Sequence, residues 1–261
     1  MKRITHLLQR ILTIIAIAFC CLAELDNGVQ GLVGGAQLAS EDIALSVVGI
    51  VGPRNSFCTA IAIAPTLILT AGHCLQSGDT YKVQYKDTNR SRKFCDVVGW
   101  ERPPQFVMRT TGPPIADLAI LKLADPLPAD IAVAVLGLEE LTVWPGDRFT
   151  VIGGGIALKG LHETGFNRAA HLVATGPYTK WQIRLIDPSG MRTTLGACFG
   201  DSGSPVFQTQ ADGTKVIGIV SWAAGPHKTK GCGGVTGVTP LSPYRSWIEE
   251  TISKLRGDPA P

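Results

Sequence analysis

Ala60-Ile61-Ala62-Ile63-Ala64-Pro65-Thr66-Leu67-Ile68-Leu69-Thr70-Ala71-Gly72-His73-Cys74 holds two short apolar runs, broken by a proline and stopped by a glycine. Runs this short, bounded by turn formers, read as strands and not as helices. Similar short apolar or alternating runs recur at 45–51, 81–85, 119–123, 149–152, 181–185, 216–221 and 235–239, separated by Gly, Pro, Asn and Asp. Many short strands at this spacing predict an all-β sandwich or barrel. The 30 glycines and 17 prolines also suit a turn-rich β protein better than a helical one.

The chain has 261 residues, 45% hydrophobic and 17% charged, with a formal net charge of +3. That is too apolar for disorder and too evenly charged for the usual basic nucleic-acid binder. The whole excess sits at the start. Residues 1–23 contain Lys2, Arg3 and Arg10, then an apolar run at 11–22, and no acidic residue. A basic start, a short apolar run and a small-residue exit read as a secretory signal. The run is short for a membrane-spanning helix, which needs about 20 residues. Without residues 1–23 the charge balances; without Glu24 and Asp26 as well it stands at +2. The Arg90, Arg92, Lys93 cluster then reads as a solvated loop, and no nucleic-acid partner is expected.

Cys20 and Cys21 leave with the signal, so Cys58, Cys74, Cys95, Cys198 and Cys232 remain. An exported chain can form disulfides, and five cysteines allow two at most. There is no CxxC pair, and the five histidines lack metal-type spacing, so no metal is expected. The length allows one large domain or two halves of roughly 100–120 residues, each able to bury a core. The Pro-punctuated stretch 124–144 could join two halves. Only the end reads as a helix: Ser242 as cap, Pro243 in the first turn, and Tyr244, Trp247, Ile248, Ile252 and Leu255 on one face.

Three segments stand out together: Thr70-Ala71-Gly72-His73-Cys74, Asp117-Leu118-Ala119-Ile120-Leu121 and Gly200-Asp201-Ser202-Gly203-Ser204-Pro205. Alone, each has a bland reading: a core histidine, a strand-start cap, a tight turn. Jointly, in the order His, Asp, Ser, the set resembles the chymotrypsin/trypsin family of serine peptidases over about residues 32–255. The resemblance implies an all-β fold of two six-stranded antiparallel β-barrels with a C-terminal α-helix and a site in the cleft between the barrels. After the signal at 1–23, the expected order is then a short pro-segment at 24–31 and a peptidase domain at 32–261. Within that domain the barrels would span about 45–130 and 145–240, and the helix about 243–255.

The chemistry explains the residue types. A serine hydroxyl is a weak nucleophile at neutral pH, so a neighbouring base must take its proton. His73 suits that role, and Asp117 would hold its tautomer. Gly200 and Ser202 would supply the two backbone N–H groups of an oxyanion hole. By resemblance, disulfides Cys58–Cys74 and Cys198–Cys232 follow, leaving Cys95 as a buried free thiol or an intermolecular bridge. Family members usually begin at a sequence like Leu32-Val33-Gly34-Gly35, whose new amino group pairs with the acid at Asp201. Gly31 precedes it, so a trypsin-type activator is not expected. The alternatives are a pro-segment cut by another protease or direct signal cleavage after Gly31.

The implied pocket has Gly196 as floor, Ser221, Trp222 and Ala223 as one wall, and Thr236 near the other. No acid at Gly196 and no histidine at Val220 predict a neutral, mostly apolar pocket accepting Leu, Met or aromatic side chains. Ser204 replaces the usual glycine, and 152–156 lacks the usual tryptophan. With two implied disulfides the chain looks bacterial in type. Protein or peptide substrates, no cofactor, no membrane anchor, a monomer and a secreted location (extracellular or periplasmic) complete the expectation. The competing readings are a secreted protease-fold binding protein without catalysis and an esterase, whose Gly-x-Ser-x-Gly elbow is missing here.

Overall fold

The computed structural model describes residues 32–257, apart from 90, 155–166, 180, 191–193 and 227–230. The export signal and pro-segment read at 1–31 lie outside these residues.

A two-residue strand, β1 (Gln37–Leu38), and one helical turn, α1 (Glu41–Ala44), precede the first barrel. Its strands are β2 (Val47–Val51), β3 (Phe57–Ala64), β4 (Leu67–Thr70), β5 (Lys82–Lys86), β6 (Arg92–Glu101) and β7 (Ala119–Leu123). They close in the order β2-β3-β4-β7-β6-β5, with β5 returning to β2. After the 124–144 stretch come β8 (Arg148–Gly153), β9 (Arg168–Thr179), β10 (Gln182–Ile186), β11 (Pro205–Gln210), β12 (Gly213–Ala224) and β13 (Val235–Pro240). They run β9-β10-β13-β12-β11-β8, and β8 pairs with β9 to close the second barrel, with β1 added against β9. The expected two six-stranded antiparallel barrels are present.

Burial explains why the 60–64 and 67–69 runs are apolar at every position. Successive strand residues point to opposite faces. Ala60, Ala62 and Ile68 pack inside the first barrel with Val48, Ile50 and Leu121. Ile61, Ile63, Leu67 and Leu69 face the other way, into a cluster shared with Ile152, Phe207, Val216 and Ile219 of the second barrel and Ile248 of the terminal helix. Both faces are buried, so no polar alternation survives. The second barrel has its own core around Phe149, Val151, Leu172, Leu185, Val206 and Val238, and Leu32 joins it.

Strands β6, β9 and β11 are absent from the sequence reading. Much of β6 is exposed, and Arg92 and Lys93 stand on it and not on a loop. The helix α2 (Arg245–Arg256) also starts later than expected. Ser242–Tyr244 forms a 3₁₀ turn whose Tyr244 N–H reaches Leu241 O, so Ser242 lies inside the turn and caps nothing. Leu241 and Tyr244 are both buried, and tightening the chain there seats them in the inter-barrel core. Gly257, left-handed at φ +81°, ends the helix.

Candidate active site

His73 lies on a 3₁₀ turn, Gly72–Cys74, directly after β4. The Cys58–Cys74 disulfide ties this turn to β3. Asp117 is the second residue before β7, and it is fully buried. Ser202 stands on the tight turn that opens β11, after the Cys198–Cys232 disulfide. Gly203 follows at φ +86°, and a Cβ there would lie 2.1 Å from both Thr59 O and Thr70 Oγ1. Only glycine lets the serine turn approach the first barrel so closely.

These segments bring the three side chains into one line. His73 Nδ1 lies 2.7 Å from Asp117 Oδ2, and Nε2 lies 2.9 Å from Ser202 Oγ. An ionised carboxylate only accepts hydrogen bonds, so Nδ1 carries the proton and Nε2 is left to accept from the serine hydroxyl. The His73 backbone N–H donates to Asp117 Oδ1 at 2.8 Å, which fixes the carboxylate plane. Ser221, expected on the pocket wall, turns its buried hydroxyl to Asp117 Oδ2 at 2.5 Å. Arg102, sandwiched between the Trp100 and Phe106 rings, adds positive charge near Asp117.

Gly200 has φ +90°. Among the described residues no backbone carbonyl takes the N–H of Gly200 or Ser202. Asp201 points away from the cleft and is fully buried. Its Oδ2 accepts from Leu32 N–H at 2.7 Å and Cys198 N–H at 2.8 Å, while Oδ1 has no partner. Burial pushes this carboxyl up to about 7, against the lowering effect of those two donors.

A cavity of about 840 Å³ opens over His73, Gly200 and Ser202 and is walled by Phe57, Tyr81 and Phe199 and the Cys58–Cys74 disulfide. Of the residues expected to form the specificity pocket, Ala223 lines this cavity; Gly196, Ser221, Trp222 and Thr236 do not. Gly196 is buried, and Thr236 Oγ1 lies 3.1 Å from where its Cβ would be. Thr236 itself accepts from Ala197 N–H at 3.0 Å. Trp222 lies so close over Gly237 that a Cβ there would be 2.0 Å from the ring. Phe57 and Phe199 are absent from the sequence-based expectation; Phe199 directly precedes the Gly200–Pro205 motif, which is a local signal, whereas Phe57 adjoins only Cys58.

Cys58, His73 and Cys74 bring three metal-type ligand atoms together, but the two sulfurs are joined in the disulfide. Cys95 is buried and free, its Sγ–H directed at Asp125 O at 3.4 Å. Among the described residues no helix is long and apolar enough to cross a membrane.

Two closed barrels with this cleft between them define a chymotrypsin-like serine peptidase fold. The trypsin family model matches residues 33–248, and the chain belongs to that family of serine endopeptidases. It is 27% identical to a trypsin of Sarcophaga bullata over 94% of this chain and 99% of that one. It is 26% identical to human kallikrein-14 over 94% and 92% of the two chains. In structure it is similar to human heparin binding protein, with TM-score 0.65 and 22% identity over 88% of this chain and 99% of that one. Insect and mammalian relatives of this kind give no support to the bacterial-type reading.

Proposed function

We propose that this chain is a secreted endopeptidase that cleaves peptide bonds through His73, Asp117 and Ser202, by way of an acyl-enzyme. The observation that carries the reading is the unbroken line from Asp117 through His73 to Ser202, at 2.7 and 2.9 Å. Ser202 Oγ attacks the substrate carbonyl carbon while its proton passes to His73 Nε2. The carbonyl oxygen takes the negative charge and is met by the Gly200 and Ser202 N–H groups. Collapse breaks the C–N bond, and His73 hands its proton to the leaving amine. Water then repeats the sequence on the ester, releasing the acid and restoring the serine. Asp117 stabilises the imidazolium in both halves without taking its proton.

The side-chain preference at the cut is neutral and apolar. None of the five residues expected to form the specificity pocket is acidic, so a cationic substrate group there would lose its water without gaining a partner. Release of Leu32 as a new N-terminus switches the enzyme on. An amide N–H offers Asp201 one hydrogen, whereas an ammonium offers three and a charge, enough to engage the unpartnered Oδ1. Residues 1–23 direct export and 24–31 form the pro-segment. The active form works as a monomer without a membrane anchor.

A second reading, a protease-fold binding protein, draws on the likeness to a heparin binding protein. The intact His73–Ser202 hydrogen bond weighs for catalysis. A fluorophosphonate probe on the chain beginning at Leu32 separates the two. Labelling confined to Ser202, and lost in Ser202→Ala, supports the peptidase; an unlabelled protein leaves the binding reading.

A further inference from the structure

We propose that Thr59 is a positioning residue, a hydroxyl of the first barrel that latches the oxyanion loop of the second. The proposal rests on the catalytic reading above and adds a part to it.

Thr59 lies in β3 and is fully buried. Its Oγ1 is 2.8 Å from the Gly200 carbonyl oxygen and 3.2 Å from Gly154 N. An amide N–H can only donate, so Gly154 gives its hydrogen to Oγ1 and the hydroxyl gives its own to Gly200 O. The directions of both bonds follow without choice. The Thr59 backbone N–H donates to Ser202 O at 2.8 Å, and its carbonyl accepts from Thr70 Oγ1 at 2.8 Å. One residue therefore holds the carbonyls of Gly200 and Ser202, the same two residues whose N–H groups face the substrate oxygen.

The grip matters because the loop is intrinsically soft. Gly200 and Gly203 sit at φ +90° and +86°, where glycine has many other conformations within reach. The Leu32–Asp201 contact holds the loop through the second barrel's core. Thr59 holds it from the opposite barrel, and its bonds do not depend on where the chain begins. Through Gly154 it also joins the end of β8 to the same point. Preorganised donors are effective only while they stay aimed, so the latch should act on the reaction step more than on substrate binding.

The test compares Thr59→Val, which keeps the shape and removes the hydroxyl, with Thr59→Ser, which keeps the hydroxyl, both in the chain beginning at Leu32. On a peptide substrate, Thr59→Val should lower kcat about tenfold and leave KM within about twofold. Inhibition by a peptide aldehyde, whose adduct oxygen occupies the hole, should weaken in parallel, and Thr59→Ser should recover most of both. Amide hydrogen exchange in 198–204 should speed up in Thr59→Val by more than it does in the rest of the chain. Unchanged kcat, or equal losses in Val and Ser, overturns the proposal. If wild type neither turns over nor labels at Ser202, the catalytic reading fails, and exchange alone judges the latch: unaltered rates in Thr59→Val sink it. If Thr59→Val does not fold, Thr59→Ala replaces it under the same criteria.

Discussion

The Ser221 hydroxyl, on β12 of the second barrel, donates to Asp117 Oδ2, just ahead of β7 in the first, at 2.5 Å. The acid is thus held from both sides of the cleft, since its remaining bonds come from His73. Removing the hydroxyl by Ser221→Ala leaves a buried carboxylate with one donor fewer. We expect kcat to fall about threefold to tenfold with KM little changed, the loss of one hydrogen bond to a charged group. Steady-state kinetics on a peptide substrate checks this; a KM effect alone would assign Ser221 to substrate binding.

Substitutions of the three aligned side chains should be far more severe. Ser202→Ala or His73→Ala should lower kcat by about four orders of magnitude or more, and Asp117→Asn by about four. The double variant Ser202→Ala/His73→Ala should be scarcely worse than either alone, because the groups act as a unit. Additive losses in single-turnover assays would contradict the shared mechanism.

The proposed neutral pocket makes a prediction about cleavage specificity. A peptide library should show hydrolysis after Leu, Met or aromatic residues at least about tenfold faster than after Arg or Lys, given the penalty for burying an unpaired charge. Dominant cleavage after basic residues would refute the neutral pocket.

If cleavage frees Leu32 as proposed, Asp201 should set a pH dependence that differs between the uncut and the cut chain. Burial raises its carboxyl from 3.8 to about 7, so the folded uncut chain holds a proton that the unfolded chain has already released. This contribution to stability is complete below the unfolded value and is lost as pH rises through about 7. A free amino group at Leu32 favours the ionised carboxylate and removes most of the decline. With Ser202→Ala to prevent self-digestion, Tm of a chain retaining 24–31 should fall between pH 4 and 7.5 relative to one beginning at Leu32. Parallel curves would argue against the ion pair.

The Cys58–Cys74 bond joins residues 16 positions apart. The double variant Cys58→Ala/Cys74→Ala should lose about 3 kcal/mol of stability in the chain-entropy estimate. Denaturant unfolding measures this, and kcat should fall too, because the His73 turn loses its tie to β3.

Strand chemistry was legible where both faces of a strand are buried. The 60–64 and 67–69 runs declare themselves because each residue meets a core, whichever way it points. β6 carried no such signal, since Arg92, Lys93 and Phe94 face solvent and only scattered positions such as Cys95 reach the core. The three chemical motifs could be picked out because each is local: a few adjacent residues suffice to set a turn.

Local patterns therefore determined the all-β class, the candidate residues His73, Asp117 and Ser202, and, by resemblance, the barrel pair. Folding in three dimensions decided which distant groups serve them. Nothing in the order of residues announces that Ser221 would meet Asp117 across 104 positions, or that Thr59 would reach Gly200 across 141. The physical reason is that a hydrogen bond depends on distance and direction to within a few tenths of an ångström. Only the packing of one barrel against the other sets those quantities, by closing the core that Ile61, Leu69, Phe207 and Ile219 share.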